Sequence, residues 1–116
     1  MSLIAVTLVS APNVLILILN RGKNNEYNVK INFEEKIDLY KFIEIKGTGT
    51  KYNLIGVITH IGESNNNGHF VAFCREPITN KKWFLYNDAI VKEVKNFKKE
   101  VIDFGEPYIL FYQKEN

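Results

Sequence analysis

A chain of 116 residues, 46% hydrophobic and 24% charged, is long enough to bury one core and too apolar for wholesale disorder. Fifteen basic residues against 13 acidic leave a net charge of +2, a balance that gives no support for a nucleic-acid or anionic membrane partner. Cys74 is the only cysteine, which excludes an internal disulfide or a cysteine-based zinc cluster within the chain and fits a reducing cytoplasmic or nuclear setting.

The apolar run from Leu3 to Leu19 lacks a basic leader and is broken by Ser10, Pro12 and Asn13. It therefore reads as two buried strands, residues 3–9 and 14–19, rather than a signal or membrane segment. Asn20 to Asn25 is a polar turn, after which Tyr27, Val29, Ile31 and Phe33 alternate with Asn28, Lys30 and Asn32 at the period of a half-buried strand. Between Glu34 and Ile45 the apolar residues fit either a short helical turn or irregular docking. A loop at Lys46 to Thr50 leads into a strand from Lys51 to His60. The next loop, Ile61 to Gly68, is long and polar, with glycine at each end of its variable part, and can move between open and closed forms.

Two runs follow, Gly68 to Arg75 and Trp83 to Asp88, and a turn around Pro77, Ile78 and Thr79 would pair them as a hairpin. That turn predicts Val71 opposite Leu85, Phe73 opposite Trp83, Phe70 opposite Tyr86 and His69 opposite Asn87, with Asp88 as the partner after a one-residue slip. Ala89 to Val94 extend the sheet, Asn96 to Phe104 form a short amphipathic helix ending before Gly105, and Tyr108 to Tyr112 close the chain as a buried strand. The elements add up to an α+β fold, mainly antiparallel sheet with one or two short helices, in a single or partial domain spanning residues 1–116.

A histidine at the mouth of a hairpin, held by an amide or carboxylate, is the general-base half of a nucleophilic triad. Isolated His/Asn pairs are common, so the hairpin alone favours a histidine that merely satisfies a polar rim and leaves the catalytic reading open. Cys74 cannot complete a triad with His69. Five strand residues at about 3.3 Å each separate the two by roughly 16 Å, and odd spacing points their side chains to opposite faces. Cys74 is expected as a buried apolar residue. His60, His69 and Asp88 could in principle share a metal, but nine positions between the histidines match no familiar zinc spacing, and neither a metal nor another cofactor is expected. Lys81, Lys82, Lys98 and Lys99 read as solvated faces, and the hairpin aromatics as sheet packing.

Several segments, in order, resemble the C-terminal half of the ubiquitin-specific proteases, the papain-like cysteine deubiquitinases. Pro12 to Arg21 is similar to the family's strand leading into a Lys-Arg-Phe end, and Phe33 to Leu39 to its Phe-x-x-x-Ile-Asp-Leu stretch. Tyr52 to Gly62 resembles its Tyr-x-Leu-x-Gly-Val-x-x-His-x-Gly segment, and Gly68 to Arg75 its histidine box. Trp83 to Val91 resembles its Trp-Tyr-x-Phe-Asn-Asp segment, and Tyr108 to Tyr112 its closing strand. The family's zinc-binding Cys-x-x-Cys pairs have no counterpart, and Gly22 stands where a phenylalanine is usual.

The resemblance implies the palm part of a papain-like fold, with His69 as general base, Asn87 orienting it and Asp88 as a supporting polar group. It further implies that Ile61 to Asn67 is a blocking loop and that His60, Gly68 and Phe70 line the channel for ubiquitin's C-terminal tail. The family's nucleophilic cysteine and oxyanion-stabilising side chain lie in an N-terminal half that this sequence does not match. The expectation is therefore a partial deubiquitinase, inactive alone, whose partners are ubiquitin or a ubiquitinated protein and an N-terminal cysteine-bearing half, with dimerisation through exposed core faces as a further expectation. A non-catalytic ubiquitin-binding or scaffold module and one half of a split enzyme are the alternatives.

Overall fold

The computed structural model describes residues 8–19, 31–45, 47, 49–61, 68–76 and 82–115. In chain order the strands are β1 (Leu8–Ser10), β2 (Val14–Ile18), β3 (Lys36–Asp38), β4 (Ile43–Ile45), β5 (Lys51–Ile61), β6 (His69–Arg75), β7 (Trp83–Asn87), β8 (Ile90–Glu93) and β9 (Glu106–Lys114). One sheet runs β2-β9-β5-β6-β7-β8, with β3 added beside β5, and all its pairings are antiparallel. β1 and β4 form a separate parallel pair. Among the described residues the helical elements are a 3₁₀ turn at Tyr40–Phe42 and a π turn at Lys98–Ile102, so the fold is α+β and dominated by antiparallel sheet.

β5 is the strand on which the sheet is assembled. Its run of β-branched residues favours a pleated, buried position, and it pairs with β9 over Tyr52–His60, with β6 over Gly56–Ile61 and with β3 over Lys51–Asn53. The ladder with β9 skips Ile55 on β5 and Tyr108 on β9. The first skip lets Leu54 and Val57, an odd number of residues apart, both bury on one face, which strict alternation would forbid. The second skip lies beside Gly105, where φ is +39°. A Cβ there would lie 2.7 Å from the His60 carbonyl oxygen and 2.8 Å from Thr59 Cγ2, so only glycine lets the chain enter β9 this close to β5.

One face of the sheet carries the core. Tyr52, Leu54, Val57, Val71, Phe73 and Trp83 are buried on it, covered by the segment around the π turn. Phe104 meets Phe73 edge to face at 5.7 Å between centroids, and Phe97 meets Trp83 at 4.9 Å. That segment is held locally: Asn96 Oδ1 accepts from the Lys99 N–H, and the Glu100 carboxylate accepts from the N–H groups of Lys95 and Asn96. Two buried tyrosines tie irregular segments to the same face. The Tyr52 hydroxyl donates to the Pro12 carbonyl at 2.6 Å and the Tyr112 hydroxyl to the Glu34 carbonyl at 2.7 Å. Asp38 accepts from the Thr50 hydroxyl and the Tyr40 N–H, and those bonds hold its carboxyl below the usual carboxylate range.

The structure corrects several sequence expectations. β2 is not buried on both faces: it is a sheet edge whose Val14, Ile16 and Ile18 are exposed while Leu15 and Leu17 are half-buried. Residues 31–34 lie outside any strand, with Phe33 buried, and the other part of that predicted strand, residues 27–30, is outside the described residues, as are residues 3–7 of the first. The ambiguous region from Glu34 to Ile45 holds β3, the 3₁₀ turn and β4, while the predicted amphipathic helix is one π turn. β9 is longer than the predicted Tyr108 to Tyr112. In the β6–β7 hairpin Phe73 pairs with Leu85 and Arg75 with Trp83, two residues from the predicted register, because the connection is longer than the tight turn assumed around Pro77 to Thr79, which lies outside the described residues.

Gly105→Ala should lower unfolding stability by about 1–3 kcal/mol in urea denaturation, since it combines a disfavoured φ with a backbone clash. Burial and the neighbouring Glu34 carboxylate push the Tyr112 phenol up to about 12, against an ordinary value near 10. A raised pKa means the folded chain favours the protonated phenol. Its stabilising contribution is whole below about pH 10 and is lost as pH rises through about 12. Urea midpoints should fall across that window, and Tyr112→Phe should remove part of the fall.

Candidate active site

At one end of the sheet, β6 begins with His69 and β7 ends with Asn87. The observed β6–β7 register makes them diagonal neighbours rather than direct partners, but a two-residue shift preserves the face, so both side chains still project from the same side. His69 Nε2 lies 3.0 Å from Asn87 Oδ1. An amide oxygen only accepts, so Nε2 carries the proton in this contact, and in the neutral ring Nδ1 then holds the lone pair with which an imidazole acts as a base. At this exposed position the bond contributes about 0.5–1.5 kcal/mol. That is little for a fold but enough to select a ring orientation.

Asp88 follows Asn87 in the two-residue turn between β7 and β8, where Asn87 and Ile90 form the closing pair. Its φ is +53°, in the left-handed region that Asp and Asn tolerate better than other side chains. Its exposed carboxylate makes no hydrogen bond among the described residues, so it is not the partner of His69.

His60 and Phe70 face each other across the β5–β6 ladder, on the side of the sheet opposite His69. His60 is buried and packs at 5.0 Å against the Phe70 ring and at 5.8 Å against Tyr108, while Phe70 and Tyr108 meet edge to face at 5.1 Å. The His60 Nδ1 atom has no hydrogen-bond partner among the described residues. Tyr108 was not singled out from the sequence, because its place beside His60 depends on its being the residue skipped in the β9 ladder. Gly68 is half-buried at the entry to β6, and residues 62–67 of the predicted blocking loop are outside the described residues.

Cys74 corrects an expectation: it is exposed rather than buried. It projects from the face opposite His69 into a shallow groove with Arg75, Glu76, Phe84 and Tyr86, and partial burial there pushes its thiol pKa up. Position and protonation both argue against it as the nucleophile for His69. The opposite-face placement of His60 and His69 likewise keeps them from closing on one metal ion, and no group of three metal-ligating side chains occurs among the described residues.

Residues 5–112 match the family model described as ubiquitin carboxyl-terminal hydrolase. Human ubiquitin carboxyl-terminal hydrolase 29 is 30% identical over 93 residues, covering 80% of this chain and 10% of that protein. Ubiquitin carboxyl-terminal hydrolase 8 of Saccharomyces cerevisiae is 30% identical over 117 residues, covering 87% of this chain and 24% of that protein. Among solved structures, a chain of the SAGA DUB module bound to monoubiquitin superposes with a TM-score of 0.72 at 31% identity, covering 90% of this chain and 24% of its own. A chain of the module bound to ubiquitin aldehyde gives 0.68 at 29% identity, covering 90% and 25%. The chain thus spans between about a tenth and a quarter of the length of these relatives.

In the native chain Cys74 should alkylate fully with iodoacetamide, with a pH midpoint above the ordinary thiol value near 8.5. His69→Ala should leave that midpoint unchanged. A midpoint below the ordinary value, restored by His69→Ala, would show the two groups to be coupled.

Proposed function

The chain belongs to the ubiquitin carboxyl-terminal hydrolase family, as a C-terminal region of the ubiquitin-specific protease type, and we propose that it supplies the general-base half of a cysteine deubiquitinase. The observation that carries this reading is the 3.0 Å contact between His69 Nε2 and Asn87 Oδ1, which leaves Nδ1 as the basic nitrogen. The nucleophile must come from a cysteine-bearing partner half, because Cys74 lies on the other face.

In the assembled enzyme, His69 Nδ1 takes the proton of that cysteine. The thiolate then attacks the carbonyl carbon of ubiquitin's last glycine, in the bond to a substrate amine. Imidazolium forms, stabilised by the Asn87 oxygen, and returns the proton to the leaving amine as the tetrahedral intermediate collapses to a thioester. His69 then deprotonates water for hydrolysis of the thioester. Asp88 supports the pair from the adjoining turn, and Gly68, next to His69 at the entry to β6, lines the path of ubiquitin's tail, with His60 and Phe70 bordering that path from the other face at this end of the sheet. The exposed apolar residues on the outer face, among them Ile16, Ile18 and Phe70, favour a chain that works with a covering partner over one that works alone.

Purified residues 1–116 should not cleave a ubiquitin C-terminal amide reporter. Adding a cysteine-bearing N-terminal half should produce activity, and His69→Ala should lower its kcat by roughly 10²–10⁴-fold. Cleavage by the chain alone, abolished by His69→Ala, would overturn the need for a second half. No activity after complementation, together with ubiquitin-tail NMR shifts lost in Phe70→Asp, would favour a non-catalytic ubiquitin-binding module.

A further inference from the structure

We propose that Asp88 is a positioning residue that acts through its backbone: its left-handed φ in the β7–β8 turn aims the Asn87 amide at His69, and its carboxylate is not required. The inference rests on the reading of His69 and Asn87 as base and orienting group.

Asn87 is the last residue of β7, so the direction of its side chain is set by the pleat before it and the turn after it. The turn is as short as a hairpin allows, with Asp88 and Ala89 alone between the paired residues Asn87 and Ile90. Two-residue hairpin turns match the right-handed twist of their strands when the first central residue has positive φ, and turns of the opposite hand splay the strands. Asp88 meets that condition at +53°, and among the described residues it is the non-glycine residue with positive φ.

Splaying the turn would open the Asn87–Ile90 pair and rotate the Asn87 amide. The contact to be held is a single 3.0 Å bond between two side chains at the sheet end, and no other side-chain hydrogen bond reaches either residue among the described residues. The Asp88 side chain is exposed and makes no hydrogen bond among the described residues, so there it offers no competing route by which the residue could position Asn87. Asp suits the position because it tolerates left-handed backbone better than Glu, Lys or a β-branched residue would.

The test uses the full 116-residue chain, ¹⁵N-labelled, and reads the His69 ring by NMR through its Nδ1 and Nε2 nitrogen shifts, which report the tautomer without needing a slowly exchanging proton. Asp88→Gly keeps the backbone freedom without the carboxylate, and Asp88→Glu keeps the carboxylate but disfavours the left-handed conformation. The expected result is a pair of His69 nitrogen shifts unchanged in Asp88→Gly and moved toward those of Asn87→Ala in Asp88→Glu, with β5 and β6 amide shifts unchanged in both. Unchanged ring shifts in Asp88→Glu would overturn the proposal, as would moved ring shifts in Asp88→Gly. Failure of the underlying reading would look different: Asn87→Ala itself would leave the His69 nitrogen shifts of the wild-type chain unchanged.

Discussion

The structure depends on β5 pairing along both edges at once. Its 11 residues carry β9 on one side and both β3 and β6 on the other, so the register of every other strand in the sheet is set relative to it. Eleven residues of uninterrupted alternation could not bury Leu54, Val57 and Thr59 on one face. The skipped residue Ile55 makes that possible, a second skip falls at Tyr108, and Gly105 leaves room for the chain to enter β9 against the His60 carbonyl. The irregularities in the ladder are therefore what allow one continuous core to form.

The chemistry at the sheet end follows from parity. His69 is joined to Asn87 because the two strands present them on the same face, and an even shift in register leaves that relation intact. Cys74, an odd number of residues along the same strand, is carried to the other side, and so are His60 and Phe70. The sheet thus separates a polar dyad on one face from an aromatic cluster of His60, Phe70 and Tyr108 on the other, both at the same end. Among the described residues the sheet has one covered face and one partly apolar exposed face.

Much of the fold was legible in the residues. Period-two and β-branched patterns located β5, β6, β7 and β8, and the small net charge and single cysteine narrowed the chemistry before any geometry was known. The pairing of His69 with Asn87 was also legible, although by a register two residues off, because face parity is more robust than exact alignment. What failed depended on context beyond the local run. Val14, Ile16 and Ile18 look like core residues in sequence, and their exposure follows from their projecting from the face with no covering layer among the described residues, while Leu15 and Leu17 on the same strand turn to the core face. The exposure of Cys74 was missed for the same kind of reason, since its face of the sheet has no covering layer among the described residues.

The sequence by itself determined the strand-forming segments, the order of the family-like motifs and the side-chain types able to act as base and orienting group, because these depend on local periodicity and on the chemistry of single residues. Only the tertiary structure decided the register, the two interruptions in the β5–β9 ladder, the left-handed turn at Asp88 and the face on which each candidate residue projects. Those depend on how strands far apart in the chain meet. A one-residue difference in that meeting reverses every side chain on a strand, and no local pattern records it.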